Sequence, residues 1–107
     1  MFFQNLKDER EAKRRKHVED LEDKVLLAEA VKAFFAGEIG KHVQEQMNTD
    51  LKGLEKDLMD IPPWKVKQIM RVQSQHQAIT RLKTYLGKAL LAGDNAYQEL
   101  KQLNNRD

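Results

Sequence analysis

The sequence predicts an all-α protein, built as a long antiparallel helical hairpin that assembles into a bundle or a larger oligomer. Apolar residues recur at spacings of three and four along most of the 107-residue chain, which is the spacing of one helix face. No useful length alternates with the period of two that marks a strand. Glycine and proline are sparse, with five and two residues respectively. The length suits a single domain.

The two prolines are adjacent and predict the one sharp turn of the hairpin. Proline clashes inside a helix and disfavours helical geometry in the residue before it. We therefore expect the first helix to end at about residue 60 and the turn to occupy residues 61–63. The second helix would run from about residue 64 to about residue 103. It could begin as early as Pro63, because a missing N–H costs nothing at the first position of a helix.

Each predicted helix carries one apolar stripe, and the two stripes would face each other in a coiled-coil-like seam. The mean spacing is about 3.6 residues in the first helix and about 3.4 in the second, and the shorter value favours coiled-coil packing. The first stripe consists of Leu21, Val25, Ala28, Val31, Phe35, Ile39, Val43, Met47, Leu51, Leu54, Leu58 and Ile61. The second consists of Val66, Ile69, Val72, His76, Ile79, Leu82, Leu86, Leu90, Gly93, Tyr97 and Leu100.

Folding at the prolines would place residue i opposite residue 125 − i, so that Val43 meets Leu82. The glycines at 37, 40 and 93 could interrupt the helices, and each interior glycine costs about 1 kcal/mol relative to alanine. Because the stripes keep their phase across these positions, we expect continuous helices that approach closely there. The alternative is a chain broken at the glycines into a compact bundle of three or four helices.

Residues 1–20 form a charged N-terminal arm that precedes the hairpin of residues 21–107. Under the predicted register the arm has no opposite partner on the second helix. It would be a solvated helical extension or a frayed segment, since it has almost no apolar stripe.

The apolar surface is wider than one seam, which predicts self-association. Adjacent apolar residues on a helix point about 100° apart, so one residue of each adjacent pair lies off the seam. We expect the oligomer interface to contain Leu27, Phe34, Met70 and Leu91. The alternative is that the first helix folds back at its glycines and buries these residues internally.

Charge is divided unevenly along the chain although the net charge is only +2. Residues 1–24 are neutral, residues 25–63 carry −3 and residues 64–107 carry +5. A basic stripe on the outward face of the second helix is either a solvated face or a nucleic-acid face, which would make the protein a small nucleic-acid-binding or regulatory protein. Its members are Lys67, Arg71, Arg81 and Lys88.

The residue types argue against an enzyme, a cofactor, a metal, a small-molecule substrate or a membrane span. The chain has no cysteine, no run of apolar residues long enough to cross a bilayer and no glycine-rich phosphate loop. Glu38, His42 and Glu45 share a helix face, but the second helix lacks the Glu-x-x-His that a di-iron bundle needs. With no signal-peptide pattern at the start, we expect a cytoplasmic protein.

Two further side chains receive structural assignments. His76 interrupts the second stripe, where a buried or specificity-setting polar residue is the common role. Trp64 follows the prolines and is expected to pack over the turn; exposed, it would instead be a docking anchor.

One resemblance is carried by the C-terminal two-thirds of the chain. Residues 61–64 (IPPW), 69–79 (IMRVQSQHQAI) and 90–96 (LLAGDNA) resemble small helical proteins encoded among the structural genes of tailed bacteriophages. Those proteins similarly combine a charged helix, a proline turn and a second helix with a glycine–acid step near its end. The resemblance implies an accessory role in the virion or in head assembly, or an unassigned early protein, located in the virion or the host cytoplasm. It supplies no catalytic residues.

Overall fold

The computed structural model describes residues 2–105, with the side chains of residues 4–105, and it confirms the all-α prediction. The described residues form three helices: α1 (Phe2–Ala36), α2 (Glu38–Asp60) and α3 (Val66–Asn105). They contain no strand. The chain divides into two units, which are described separately: unit 1 comprises Met1–Val31 and Ala89–Asp107, and unit 2 comprises Lys32–Lys88.

Unit 2 contains the predicted antiparallel hairpin. Near the turn, His76 Nε2 lies 3.3 Å from Glu55 Oε1. Further from the turn, Lys83 Nζ donates a hydrogen bond of 2.8 Å to Asn48 Oδ1. Because later residues of α3 contact earlier residues of α2, the two helices are antiparallel.

The predicted register of unit 2 is wrong by six positions. The rule 125 − i places residue 70 opposite Glu55 and residue 77 opposite Asn48, whereas the contacts involve His76 and Lys83. The turn is also longer than the predicted three residues, since α3 starts at Val66 and not at residue 64. Two extra residues account for only part of the six-position difference.

The turn begins where the prolines require it and ends later than predicted. α2 ends at Asp60, and Ile61 is extended (φ −73°, ψ 127°), as expected before proline. The Ile61 N–H donates to the Asp57 carbonyl at 3.0 Å, and the Lys65 N–H donates to the Pro62 carbonyl at 3.0 Å. The second bond closes a separate turn, so Pro63 precedes α3 and is not its first residue.

The expectation of a continuous first helix is wrong at Gly37. This residue is extended (φ −79°, ψ 166°), and its N–H donates to the carbonyls of Ala33 and Phe34, both at 3.2 Å. One residue therefore closes α1, and α2 starts again with the Lys41 N–H donating to the Gly37 carbonyl at 3.0 Å. Gly40 is buried against the backbone of Phe34 and Phe35, where an added Cβ would collide.

Unit 1 pairs α1 with the end of α3, and the prediction that the N-terminal arm has no partner is wrong. His17 Nε2 lies 2.9 Å from Glu99 Oε1, and Leu21 is only 3% exposed. α3 continues through Gly93 without a break. A Cβ at Gly93 would meet the Ala28 Cβ and lie 3.0 Å from the Lys24 carbonyl oxygen, so the predicted close approach is confirmed there.

Candidate interaction surfaces

Few large side chains are buried within the single chain. Among the described residues, the buried hydrophobic positions are Leu21, Ala28, Val72 and Ala96, and two of the four are alanines. Most other stripe residues are only half-buried. Burial of one large apolar side chain in a core stabilises a fold by roughly 1.5–3 kcal/mol. Most of that stabilisation is not realised inside this one chain.

The four residues predicted for an oligomer interface are all exposed, and they lie in both units. In unit 1, Leu27 is 47% exposed and Leu91 is 61% exposed. In unit 2, Phe34 is 46% exposed and Met70 is 59% exposed. The Phe34 ring packs edge-on against Phe35, with 5.1 Å between ring centroids. The alternative of an internal core at these positions does not describe the chain, whereas their contact with a second chain stays a prediction.

Five residues assigned to the stripes are exposed: Tyr97 in unit 1, Val66 at the start of α3, and three in the body of unit 2. Ile39, Val43 and Leu82 are exposed, although their spacing continues the two stripes. The physical reason is local to unit 2: the break at Gly37 resets the rotation of α2, and the six-position shift in register moves α3. Spacing alone carried no signal of either change.

Trp64 does not pack over the turn. Its side chain is 78% exposed, and Met59, near the end of α2, is 86% exposed. The structural role expected for Trp64 is therefore wrong, and the alternative of an exposed aromatic residue in the turn matches the structure.

The predicted basic stripe lies on one exposed side of α3 in unit 2. All four side chains are exposed, and at 1.5 Å per residue the stripe extends about 31 Å along the helix. The sequence has no aspartate or glutamate from residue 61 to residue 93. Because no acidic side chain on this part of α3 offsets them, the positive charges of the stripe are not neutralised by residues of their own helix. Its members are Lys67, Arg71, Arg81 and Lys88.

A groove on one side of the unit 2 hairpin was not predicted. It has a volume of about 680 Å³ and runs between α2 and α3. Half-buried Leu54 and Ile79 form part of its lining, together with the small residues Gly53 and Ala78. Its remaining lining residues are polar or acidic: Thr49, Asp50, Asp57 and Gln75.

Two of the histidines face glutamates across helix pairs. His76 is half-buried, as its place in the stripe indicated, and its side chain is 30% exposed beside Glu55. His17 and Glu99 are both about half exposed. Within residues 4–105, no group of three or more His, Cys, Asp or Glu side chains is arranged to hold a metal ion.

Comparisons with protein-family models, curated proteins and solved structures gave no match to this chain. No helix in the described part of the chain combines the length and the apolar character needed to cross a bilayer. The surfaces described above are therefore the basis on which a function is assigned.

Proposed function

We propose that this is a non-enzymatic structural or adaptor protein that acts through helix–helix self-association. The observation that carries the proposal is that most large apolar side chains of the described residues are exposed and few are buried. Large exposed side chains such as Leu91, Met70 and Phe34 greatly outnumber the buried ones among the described residues. Exposed apolar side chains in such number are typical of a surface that binds a partner.

The accessible area supports the same proposal. The chain exposes 9068 Å², whereas a folded monomer of 12.5 kDa is expected to expose about 6,200 Å². The excess is about 2,900 Å² on one chain, which is more than the area of about 800 Å² that each partner buries in one standard protein–protein interface. Association with further helices would remove the excess.

We extend the proposal to a component of a tailed-phage virion or of its assembly. This extension is based on the resemblance in residues 61–64, 69–79 and 90–96. A helical chain that buries few large apolar side chains by itself would gain stability by binding other subunits of a larger assembly.

The mass in solution tests self-association directly. Light scattering over a wide range of protein concentrations is expected to give an oligomer of defined mass. A monomer at the highest concentration, with no protein co-purifying, would refute the proposal.

Point variants separate an interface from a core. Leu91→Glu and Met70→Glu should lower the oligomer mass while the helical circular dichroism signal is retained, because both side chains are already exposed. Thr84→Glu is the matched control, since Thr84 is an exposed polar residue of the same helix. Loss of helicity in the first two variants would instead assign these residues to an internal core.

Nucleic-acid binding by α3 is the second candidate function. It is favoured by the exposure of all four stripe residues on one side of a helix that is free of acidic residues through position 93. Binding to DNA or RNA should weaken steeply with salt, and Arg81→Ala or Lys88→Ala should each reduce the salt slope by about 1. No binding at low salt would exclude this function.

A further inference from the structure

We propose that the groove of unit 2 is the docking site for a second copy of this chain, with α2 of each copy lying along α3 of the other. This inference rests on the proposed self-association and identifies its surface. The groove is open on the side opposite its floor of Leu54 and Ile79. The occupant follows from the charges on its two rims.

The α2 rim of the groove is acidic. Val43, Asp50 and Asp57 are spaced seven residues apart, so they lie on one side of α2, and the two aspartates line the groove. α2 as a whole, Glu38–Asp60, has six acidic and three basic residues. A surface that fits this rim must therefore present basic groups.

The α3 rim carries the complementary charge. Arg71, Ala78 and Tyr85 also repeat every seven residues on one side of α3, and Ala78 lines the groove. The adjoining Lys67 and Arg81 are exposed. One copy of the chain thus supplies both an acidic and a basic rim, which is the condition for a self-complementary twofold interface.

A twofold axis parallel to the hairpin satisfies both rims together. It places the two turns at the same end and exchanges α2 with α3 while every residue keeps its level along the hairpin. The contacts Glu55–His76 and Asn48–Lys83 set those levels. Asp57 then lies within one helical turn of the partner's Arg71, which is close enough for an ion pair.

The small residues of the groove permit close approach at the centre of this arrangement. By the same register, Gly53 lies level with the partner's Ala78. A Cβ built on Gly53 meets nothing within 4 Å, so the space above it is free in the single chain. The opposite stacking, with the turns at opposite ends, would place acidic α2 against acidic α2, and like charges disfavour it.

The first experiment fills the groove. Gly53→Leu should raise the dimer dissociation constant by about 100-fold, since a bulky side chain would hold the helices apart. The fold of the single chain should be retained, because leucine is a better helix former than glycine. Gly87→Leu is the matched control: Gly87 is also exposed and helical, and its Cβ also meets nothing within 4 Å.

The second experiment exchanges charges between copies. Asp57→Lys and Arg71→Glu should each weaken association by about 100-fold, because two symmetric contacts become repulsive. An equimolar mixture of the two variants should associate almost as tightly as the unmodified protein, since every contact in the mixed dimer again joins opposite charges. Sedimentation velocity measures all three samples.

The outcomes distinguish this inference from the proposed function. If the unmodified protein is a monomer, self-association itself is refuted. If it is an oligomer whose affinity is unaffected by Gly53→Leu, or if mixing the charge variants restores nothing, the groove is not the docking site. If Arg71→Glu abolishes nucleic-acid binding and leaves the oligomer intact, the basic rim serves a nucleic acid and the inference is likewise refuted.

Discussion

Replacing Gly93 by alanine tests the closest helix contact of unit 1. The added Cβ would meet the Ala28 Cβ and would lie 3.0 Å from the Lys24 carbonyl oxygen. Neither neighbour is the flexible end of a long side chain, so α1 and α3 must separate locally. Overpacking of this kind costs about 1–3 kcal/mol.

The expected net change combines that cost with a gain in helix propensity. Alanine is about 1 kcal/mol more favourable than glycine inside a helix. Because the added Cβ collides with the Ala28 Cβ, which cannot rotate away, the cost falls in the upper part of that range, about 2–3 kcal/mol. Gly93→Ala should therefore lower the free energy of unfolding by about 1–2 kcal/mol. Gly87→Ala should raise it by about 1 kcal/mol, because that Cβ meets nothing within 4 Å.

Urea denaturation followed by circular dichroism measures both variants, at one fixed protein concentration because association adds to apparent stability. The free energies of unfolding of the two variants should differ by about 2–3 kcal/mol. For a domain of this size, 1 kcal/mol corresponds to about 4–8 °C in Tm, so their melting temperatures should also be clearly separated. Equal stability of Gly93→Ala and Gly87→Ala would show that α1 and α3 do not approach closely at Ala28 and Gly93. The reasoning about small residues in this contact would then be refuted.

Three further predictions follow from individual contacts. Gly40→Ala should destabilise the chain toward the upper end of about 1–3 kcal/mol, since its Cβ would collide with the backbone of Phe34; a gain in Tm would contradict the close contact. Ala96→Glu should unfold unit 1 or cost on the order of 3 kcal/mol, because this position is 2% exposed, and hydrogen exchange should show the loss. Glu55→Gln should change the free energy of unfolding by under about 1 kcal/mol, because the Glu55 side chain is 61% exposed. A larger change in urea denaturation would show that its pairing with His76 is stronger than that of an exposed contact.

The helical class and the position of the turn could be predicted because they depend on local chemistry. A missing N–H and a fixed φ act within a few residues, so Pro62 and Pro63 end α2 wherever the chain folds. Periodicity likewise identified the half-buried positions near the turn, such as Leu54, Leu58 and Ile79. It also selected the side chains that are exposed beside the seam, including Leu91.

The register could not be predicted, because it depends both on the length of the turn and on how α2 and α3 pack against each other. The hydrogen bond from Lys65 to Pro62 adds non-helical residues before α3, and nothing in the apolar spacing encodes it. The shift brings His76 and Lys83 to partners six positions away from those expected. As a result Leu82, which belongs to the stripe by spacing, is exposed.

The sequence by itself determined that this chain is helical, turns once at its prolines and has more apolar surface than one hairpin seam can cover. These properties follow from backbone chemistry and from the spacing of side chains on a helix. Only the tertiary structure decided that Gly37 ends a helix while Gly93 permits a close contact, since the two glycines look alike in sequence. A glycine either ends a helix or allows another helix to approach closely, depending on which residues pack against it. Those residues are set only when the helices pack together.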